Sequence, residues 1–301
     1  MAELIIAARQ GDLGHGLTVQ RILPYRKRRM VGPFIFLDHA GPVTLPAGIA
    51  READVRPHPH IGLSTVSYLF SGRITHRDSL GIEQVIRPGE VNWMTAGRGI
   101  SHSERFEDPS AFTEPGLELL QSWVALPAED EECAPAFEHY DAGALAEAED
   151  DGVWMRVVAG SAYGLTSRVA TRSPLFYVHA VMKPGSRISL PTGHVERGVY
   201  VAHGSIEADG VTVPAGSMAV FGAGEFPTIA SQTGATLMLL GGEPLGERHI
   251  WWNFVSSRKD RIEAAKADWT AGRIALPPHD HDEWIPLPGD LADPPKPQPL
   301  S

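Results

Sequence analysis

Short apolar runs, broken about every eight to twelve residues by glycine or proline, recur along most of this chain of 301 residues. Phe34 to Leu37, Ser64 to Phe70, Val85 to Arg87, Leu117 to Leu126, Leu175 to Val181 and Leu237 to Leu240 are such runs, rich in aliphatic and β-branched residues. Runs this short, punctuated this often, leave little room for helices. They predict an all-β sandwich or barrel. One stretch departs from the pattern. From Arg258 to Ala271, Ile262, Ala265 and Trp269 share a helical face, Ser257 is placed to cap, Asp260 lies near the positive end, and Gly272 follows.

The chain also resembles itself. A shift of 132 residues lays Tyr68-Leu69-Phe70-Ser71-Gly72 on Tyr200-Val201-Ala202-His203-Gly204 and Pro59 on Pro191, and a shift of 127 lays Gly89, Ala96 and Gly97 on Gly216, Ala223 and Gly224. Two β-barrels are therefore expected. Composition places their boundary, because residues 128–151 carry ten acidic residues and no Lys or Arg. That gives an N-terminal domain at 1–130, an acidic linker at 131–151, and a C-terminal domain at 152–301 that ends in the helix and a tail. From Pro277 to Ser301 there are eight prolines, which suit an extended strap or disordered tail.

Between Pro57 and Glu104 lie two spaced pairs of donors, His58-Pro59-His60 and His102-Ser103-Glu104. Residues two apart on a strand face the same way. Two antiparallel strands could thus converge His58, His60, His102 and Glu104 on one ion, leaving room for further ligands. In the second half the same shifts put Leu190, Thr192, Ile229 and Ser231 at these positions. One metal site, in the first barrel, is the expectation. Imidazoles with a carboxylate suit Fe(II), Mn, Ni, Cu or Zn, whereas Ca or Mg would want oxygen donors. His279-Asp280-His281-Asp282-Glu283 has the same spacing, but its proline-rich setting offers no strand to fix the geometry.

Charge and composition narrow the classes. A net charge of -11 argues against direct nucleic-acid binding, which relies on clustered Lys and Arg. The single basic run, Arg26 to Arg29, reads as a solvated loop. One cysteine, Cys133, excludes an intrachain disulfide and fits a reducing compartment, so a cytoplasmic location is expected. No membrane partner is expected either, since no segment is long and apolar enough to span a bilayer.

His58-Pro-His60 with Thr65-Val66-Ser67-Tyr68, then Pro88-Gly89, then Trp93 to Glu104 resembles the pirin family of the cupin superfamily. Pro33 to His39 and Trp252 to Ser257 extend the resemblance over most of the chain. It implies a bicupin of two double-stranded β-helix barrels with a short C-terminal helix. It also implies iron held by His58, His60, His102 and Glu104. Further implied is a dioxygenase of the quercetin 2,3-dioxygenase kind, which cleaves flavonols with dioxygen and releases carbon monoxide, Glu104 serving as proton acceptor. The substrate would be a small aromatic or enolizable molecule. Family precedent also allows a regulatory module that binds a protein partner. One departure is Ser64, where the family often has Glu.

Remaining residues receive plainer readings. His39 is expected in a loop at a strand end, and His76 on the solvent side of an alternating strand. Trp93 and Met94 are expected in the core, and Arg98 in a tight turn between Gly97 and Gly99, where it could pair with a carboxylate. Cys133 is read as an incidental thiol.

Overall fold

A computed structural model describes residues 2–12, 18–44, 53–107, 116–225 and 227–289. Among them lie twenty-four strands and one α-helix, Lys259–Thr270, and the fold is a bicupin. Each of the runs singled out above lies in or overlaps a strand: Phe34–Val43, Leu63–Ser71, Glu83–Ile86, Leu117–Ala125, Leu175–Met182 and Ala235–Gly242. No helix among the described residues is long and apolar enough to cross a membrane. The tail beyond Gly289 lies outside the described residues.

The compact units are discontinuous. One comprises Met1–Arg9, Gln20–Leu37 and Tyr140–Leu245; the other comprises Gln10–Val19, Asp38–His139 and Gly246–Ser301. Composition alone divides the chain into 1–130, 131–151 and 152–301. The helix and the strap after it therefore group with the histidine motifs. The acidic stretch is also built differently from a solvated connector. It contains the strands Ala136–Tyr140 and Ala146–Asp150, and Glu131 within it is 4% exposed. The burial has a cause: Glu131 accepts hydrogen bonds from Ser256 Oγ at 2.7 Å and Ser257 N at 2.7 Å, and pairs with Arg248 Nε at 3.1 Å.

In the first unit the sheet runs Leu4–Ala7, Ser217–Phe221, Glu196–Ala208, Ala235–Gly242, Leu175–Met182, Val153–Ala162, Ala146–Asp150. Its inward faces meet in an apolar cluster that includes Val157, Phe176, Val199, Phe221 and Leu239. Leu190 and Ile229, the counterparts of His58 and His102, belong to that cluster. Thr192 is exposed, and the Ser231 hydroxyl donates to the Ser205 carbonyl at 2.8 Å. Hydrocarbon thus fills two of the four positions where the other unit carries donors.

In the second unit a four-stranded sheet runs Val55–His60, Ile100–Arg105, Ile74–Asp78, Glu83–Ile86, and Leu63–Ser71 lies between Val91–Thr95 and Leu117–Ala125. Val55, Leu69, Ile74, Ile86, Phe106 and Leu119 contribute to its core. A second cluster seats the helix: Ile262, Ala265 and Trp269, the predicted face, pack with Ile61, Trp252 and Phe254. The helix starts one residue late for the expected cap. Arg258 occupies the N-cap position, and the Ser257 hydroxyl donates to Glu131 at 3.1 Å instead.

Two glycines hold the loops beside the histidine strands. Gly62 has φ +68°, and a Cβ there would lie 2.0 Å from the Val255 carbonyl oxygen. Gly97 has φ +52°, and a Cβ there would lie 2.1 Å from the Cys133 carbonyl oxygen. Neither position accommodates a side chain.

Candidate metal centre

Val55–His60 and Ile100–Arg105 pair antiparallel, with His58 directly opposite His102 and Ile100 opposite His60. Directly opposed residues share a face of the sheet, so the two spaced pairs are brought together as their periodicity predicts. The pairing then slips. Glu104 faces Val55, so three steps on one strand match two on the other across Pro57. Proline offers no ladder donor, which favours a bulge there. The Pro57 carbonyl is used instead by Ile285 N, at 2.8 Å.

All four side chains are buried, His58 and His60 at 0%, His102 at 1% and Glu104 at 3% exposed. One ring nitrogen from each of the three histidines falls within 4.8 Å of the others. Their ring centroids stand 5.1 Å (His58 to His60), 4.5 Å (His58 to His102) and 5.1 Å (His60 to His102) apart. Glu104 lies beside this triangle and is not one of its three members: its Oε1 is 3.6 Å from His102 Nδ1.

Hydrogen bonding orients the imidazoles. His58 Nδ1 lies 2.9 Å from the Arg56 carbonyl oxygen, and His60 Nδ1 lies 3.1 Å from that of Asn253. A carbonyl can only accept, so each Nδ1 carries the proton and each Nε2 keeps its lone pair. His58 Nε2, His60 Nε2, His102 Nε2 and both carboxylate oxygens of Glu104 have no hydrogen-bond partner. Five buried donor atoms without partners are costly unless something else engages them. A divalent cation fits this set, since it takes neutral imidazole nitrogens and an anionic carboxylate.

Burial shapes the proton affinities accordingly. It lowers the His58 imidazole to about 4, and it pushes His60 and His102 well below the usual range, with the neighbouring histidines adding to the effect. It raises the Glu104 carboxyl well above the usual carboxylate range, against the opposing pull of Arg105. Neutral histidines are thereby secured. An anionic Glu104 is not, until a positive charge joins it.

Sequence reasoning missed several residues around the cluster. His76 is 4% exposed and faces inward, not outward. Ile74, two residues earlier on the same strand, is a core residue and so marks the inner face; that was the available signal. His39 lies within the strand Phe34–Val43, and its Nε2 is 2.8 Å from Glu118 Oε1. Asp280, from the run set aside as tail, bonds Arg105 beside the ligand strand. Trp93 and Met94 are core residues, 2% and 1% exposed, and Arg98 is exposed on its turn. Ser64 is buried and its hydroxyl meets Thr95 Oγ1 at 3.1 Å. Trp123 sets its ring edge-on to His60, with centroids 5.3 Å apart.

Comparison with known proteins agrees with this architecture. The family model described as Pirin matches residues 16–124, and that of the Pirin C-terminal cupin domain matches residues 177–275. A pirin-like protein of Caulobacter vibrioides is 54% identical over 291 residues, covering 96% of this chain and 100% of that one. A pirin-like protein of Solanum lycopersicum is 34% identical over 275 residues, covering 89% of this chain and 90% of that one. The crystal structure of a quercetin 2,3-dioxygenase from Acinetobacter baumannii matches with a TM-score of 0.86 at 36% identity, covering 98% of this chain and 97% of that one. With both barrels matched in order, and one of them carrying the histidine cluster, the chain belongs to the pirin family.

Proposed function

We propose that this protein is a metal-dependent dioxygenase of the pirin type that cleaves a quercetin-like flavonol. On this reading one divalent ion, iron, is held by His58, His60, His102 and Glu104. The observation that carries it is the set of five buried, unpartnered donor atoms on those four residues. Likeness to the Acinetobacter baumannii quercetin 2,3-dioxygenase supplies the substrate class. When bound, iron supplies a Lewis acid with open positions and the one-electron chemistry that dioxygen requires; Zn, Mn, Ni and Cu also suit the donors.

The residues of the chain then have separable tasks. Arg56 and Asn253 carbonyls hold the His58 and His60 rings so that their Nε2 lone pairs face a common point. Burial of all four side chains excludes bulk water from that point. Glu104, held anionic once a positive charge joins it, accepts the proton of the flavonol hydroxyl. Trp123 flanks His60 as an aromatic wall. In the overall reaction both oxygen atoms of dioxygen enter the products as the heterocycle opens, and one ring carbon leaves as carbon monoxide.

Oxygen uptake by iron-reconstituted protein given quercetin tests the proposal. Uptake dependent on quercetin is expected, together with a fall to background in His60→Ala, which should also bind less iron by elemental analysis. Reconstituted protein that consumes no more dioxygen than His60→Ala would sink it.

A further inference from the structure

Two of the three histidines are oriented by backbone carbonyls, and the third is not. His102 Nδ1 lies 3.3 Å from Nδ1 of His76, and His76 Nε2 lies 3.0 Å from Asp78 Oδ2. Register explains the alignment. Ile100–Arg105 pairs with Ile74–Asp78 so that His102 faces Asp78 and Glu104 faces His76, placing all four side chains on one side of the sheet. His76 is 4% and Asp78 0% exposed. The ring of Phe137 stacks on His76, with centroids 4.5 Å apart and planes 21° from parallel, which fixes the imidazole in its plane.

We propose that Asp78 and His76 form a positioning relay that sets the tautomer of His102 and thereby aims its Nε2 at the metal; this rests on the metal centre proposed above. The proton order follows from the donors available. Asp78 Oδ1 accepts from the backbone N–H groups of Leu80 at 2.9 Å and Ile82 at 3.2 Å, which leaves Oδ2 to accept from His76. His76 therefore carries its proton on Nε2 and presents a lone pair at Nδ1. His102 donates its Nδ1 proton to that lone pair, and its Nε2 is left bare. Glu104 Oε1, the other acceptor facing His102 Nδ1, stands farther off at 3.6 Å. The third arm of the centre thus hangs on two replaceable side chains, where the other two hang on main chain. Outer partners of this kind tune ligand basicity and orientation.

Asp78→Asn is the diagnostic variant because it is isosteric. The two backbone donors hold the amide oxygen in the Oδ1 place, so the amide nitrogen takes the Oδ2 place and donates to His76 Nε2. His76 must then carry its proton on Nδ1. Facing that proton, His102 shifts its own to Nε2, the atom meant for the ion. The proton positions can be read directly from imidazole 15N shifts in metal-free protein, and Ni(II) affinity by competition with a chromogenic chelator. Expected for Asp78→Asn are a switch of His102 to the Nε2–H tautomer and a fall in Ni(II) affinity of about 10- to 100-fold, with unchanged circular dichroism. His76→Gln, whose amide can accept from His102 and donate to Asp78, should recover part of the affinity that His76→Leu loses. Wild-type tautomer and wild-type Ni(II) affinity in Asp78→Asn would overturn the relay. Wild-type protein that takes up no Ni(II) would instead remove the metal centre, and the nitrogen shifts alone would still decide the relay.

Discussion

Arg105→Met is expected to destabilise the histidine-bearing unit by about 3–5 kcal/mol, the usual cost of removing one partner from a buried ionic cluster. Arg105 is 4% exposed, three residues beyond His102 on the same strand. Its Nε and Nη2 hold the two oxygens of Asp280 at 2.7 and 2.6 Å, and its Nη1 meets Asp54 Oδ2 at 3.2 Å. Burial alone would raise the Asp280 carboxyl, but the bonds from Arg105 and Ser103 outweigh it and hold the group below its ordinary range. Without the guanidinium, Asp54, whose side chain is 3% exposed, and Asp280, at 12%, would each lose a buried cationic partner. Glu283 also reaches Arg105, at 3.1 Å, but its side chain is 48% exposed and solvent screens it. A loss of this size is a large fraction of typical domain stability and reads out as a lower urea midpoint. Two controls separate charge from packing. Combining Arg105→Met with Asp54→Asn and Asp280→Asn should restore part of the loss, since the orphaned charges are gone. In the wild type the Asp280 contribution is complete above the unfolded carboxyl value of 3.8 and fades as the pH falls below it, because the folded value is lower. A single variant as stable as wild type would show that the cluster holds nothing in place.

What could be read from the sequence depended on how local its signal is. Strand periodicity makes His58 with His60, and His102 with Glu104, visible as pairs, and the antiparallel register does oppose His58 and His102. The internal repeat puts Leu190 and Ile229 at the positions of His58 and His102, and both lie in a hydrocarbon core, as their residue type announces. The orienting acceptors carry no such mark. Asn253, whose carbonyl holds His60, is 193 positions away, and any residue type could supply that oxygen. His76 is ambiguous in sequence because a single strand with histidine among Thr, Arg and Asp has two possible phases, and only the core role of Ile74 selects one. Charge misled in the acidic stretch and in the HDHDE run for a shared reason: Glu131 and Asp280 meet Arg248 and Arg105 more than a hundred residues away, and composition counts charges without pairing them.

Removing the metal should expose two opposed pH dependences in the stability of this unit. Burial lowers folded His58 to about 4, against 6.5 unfolded, and also holds His60 and His102 well below the ordinary value. As pH falls from 6.5 toward 4, the unfolded chain takes up protons that the folded site refuses, so metal-free stability drops on the acid side. Glu104 acts in the other direction. Its folded carboxyl is raised well above the unfolded 4.5, so with rising pH the unfolded chain releases a proton that the folded site retains, and stability declines. The histidines set an acid limb and the carboxyl an alkaline one, so the stability of the metal-free protein should pass through a maximum between them. A bound cation stabilises the ionised carboxylate and competes with protons for the imidazoles. Loading should accordingly abolish the alkaline decline and leave the acid one, where protons displace the ion. At a hundredfold excess over Kd the gain is about 2.7 kcal/mol, or roughly 5–10 °C in Tm for a unit of this size. Thermal melts of metal-free and Ni(II)-loaded protein from pH 4.5 to 9 measure both limbs. Glu104→Gln supplies the internal check: it removes the titrating group while keeping its shape, so its metal-free protein should lose the alkaline limb and keep the acid one. An alkaline decline that persists in Glu104→Gln would assign that limb to another group and take Glu104 out of the centre.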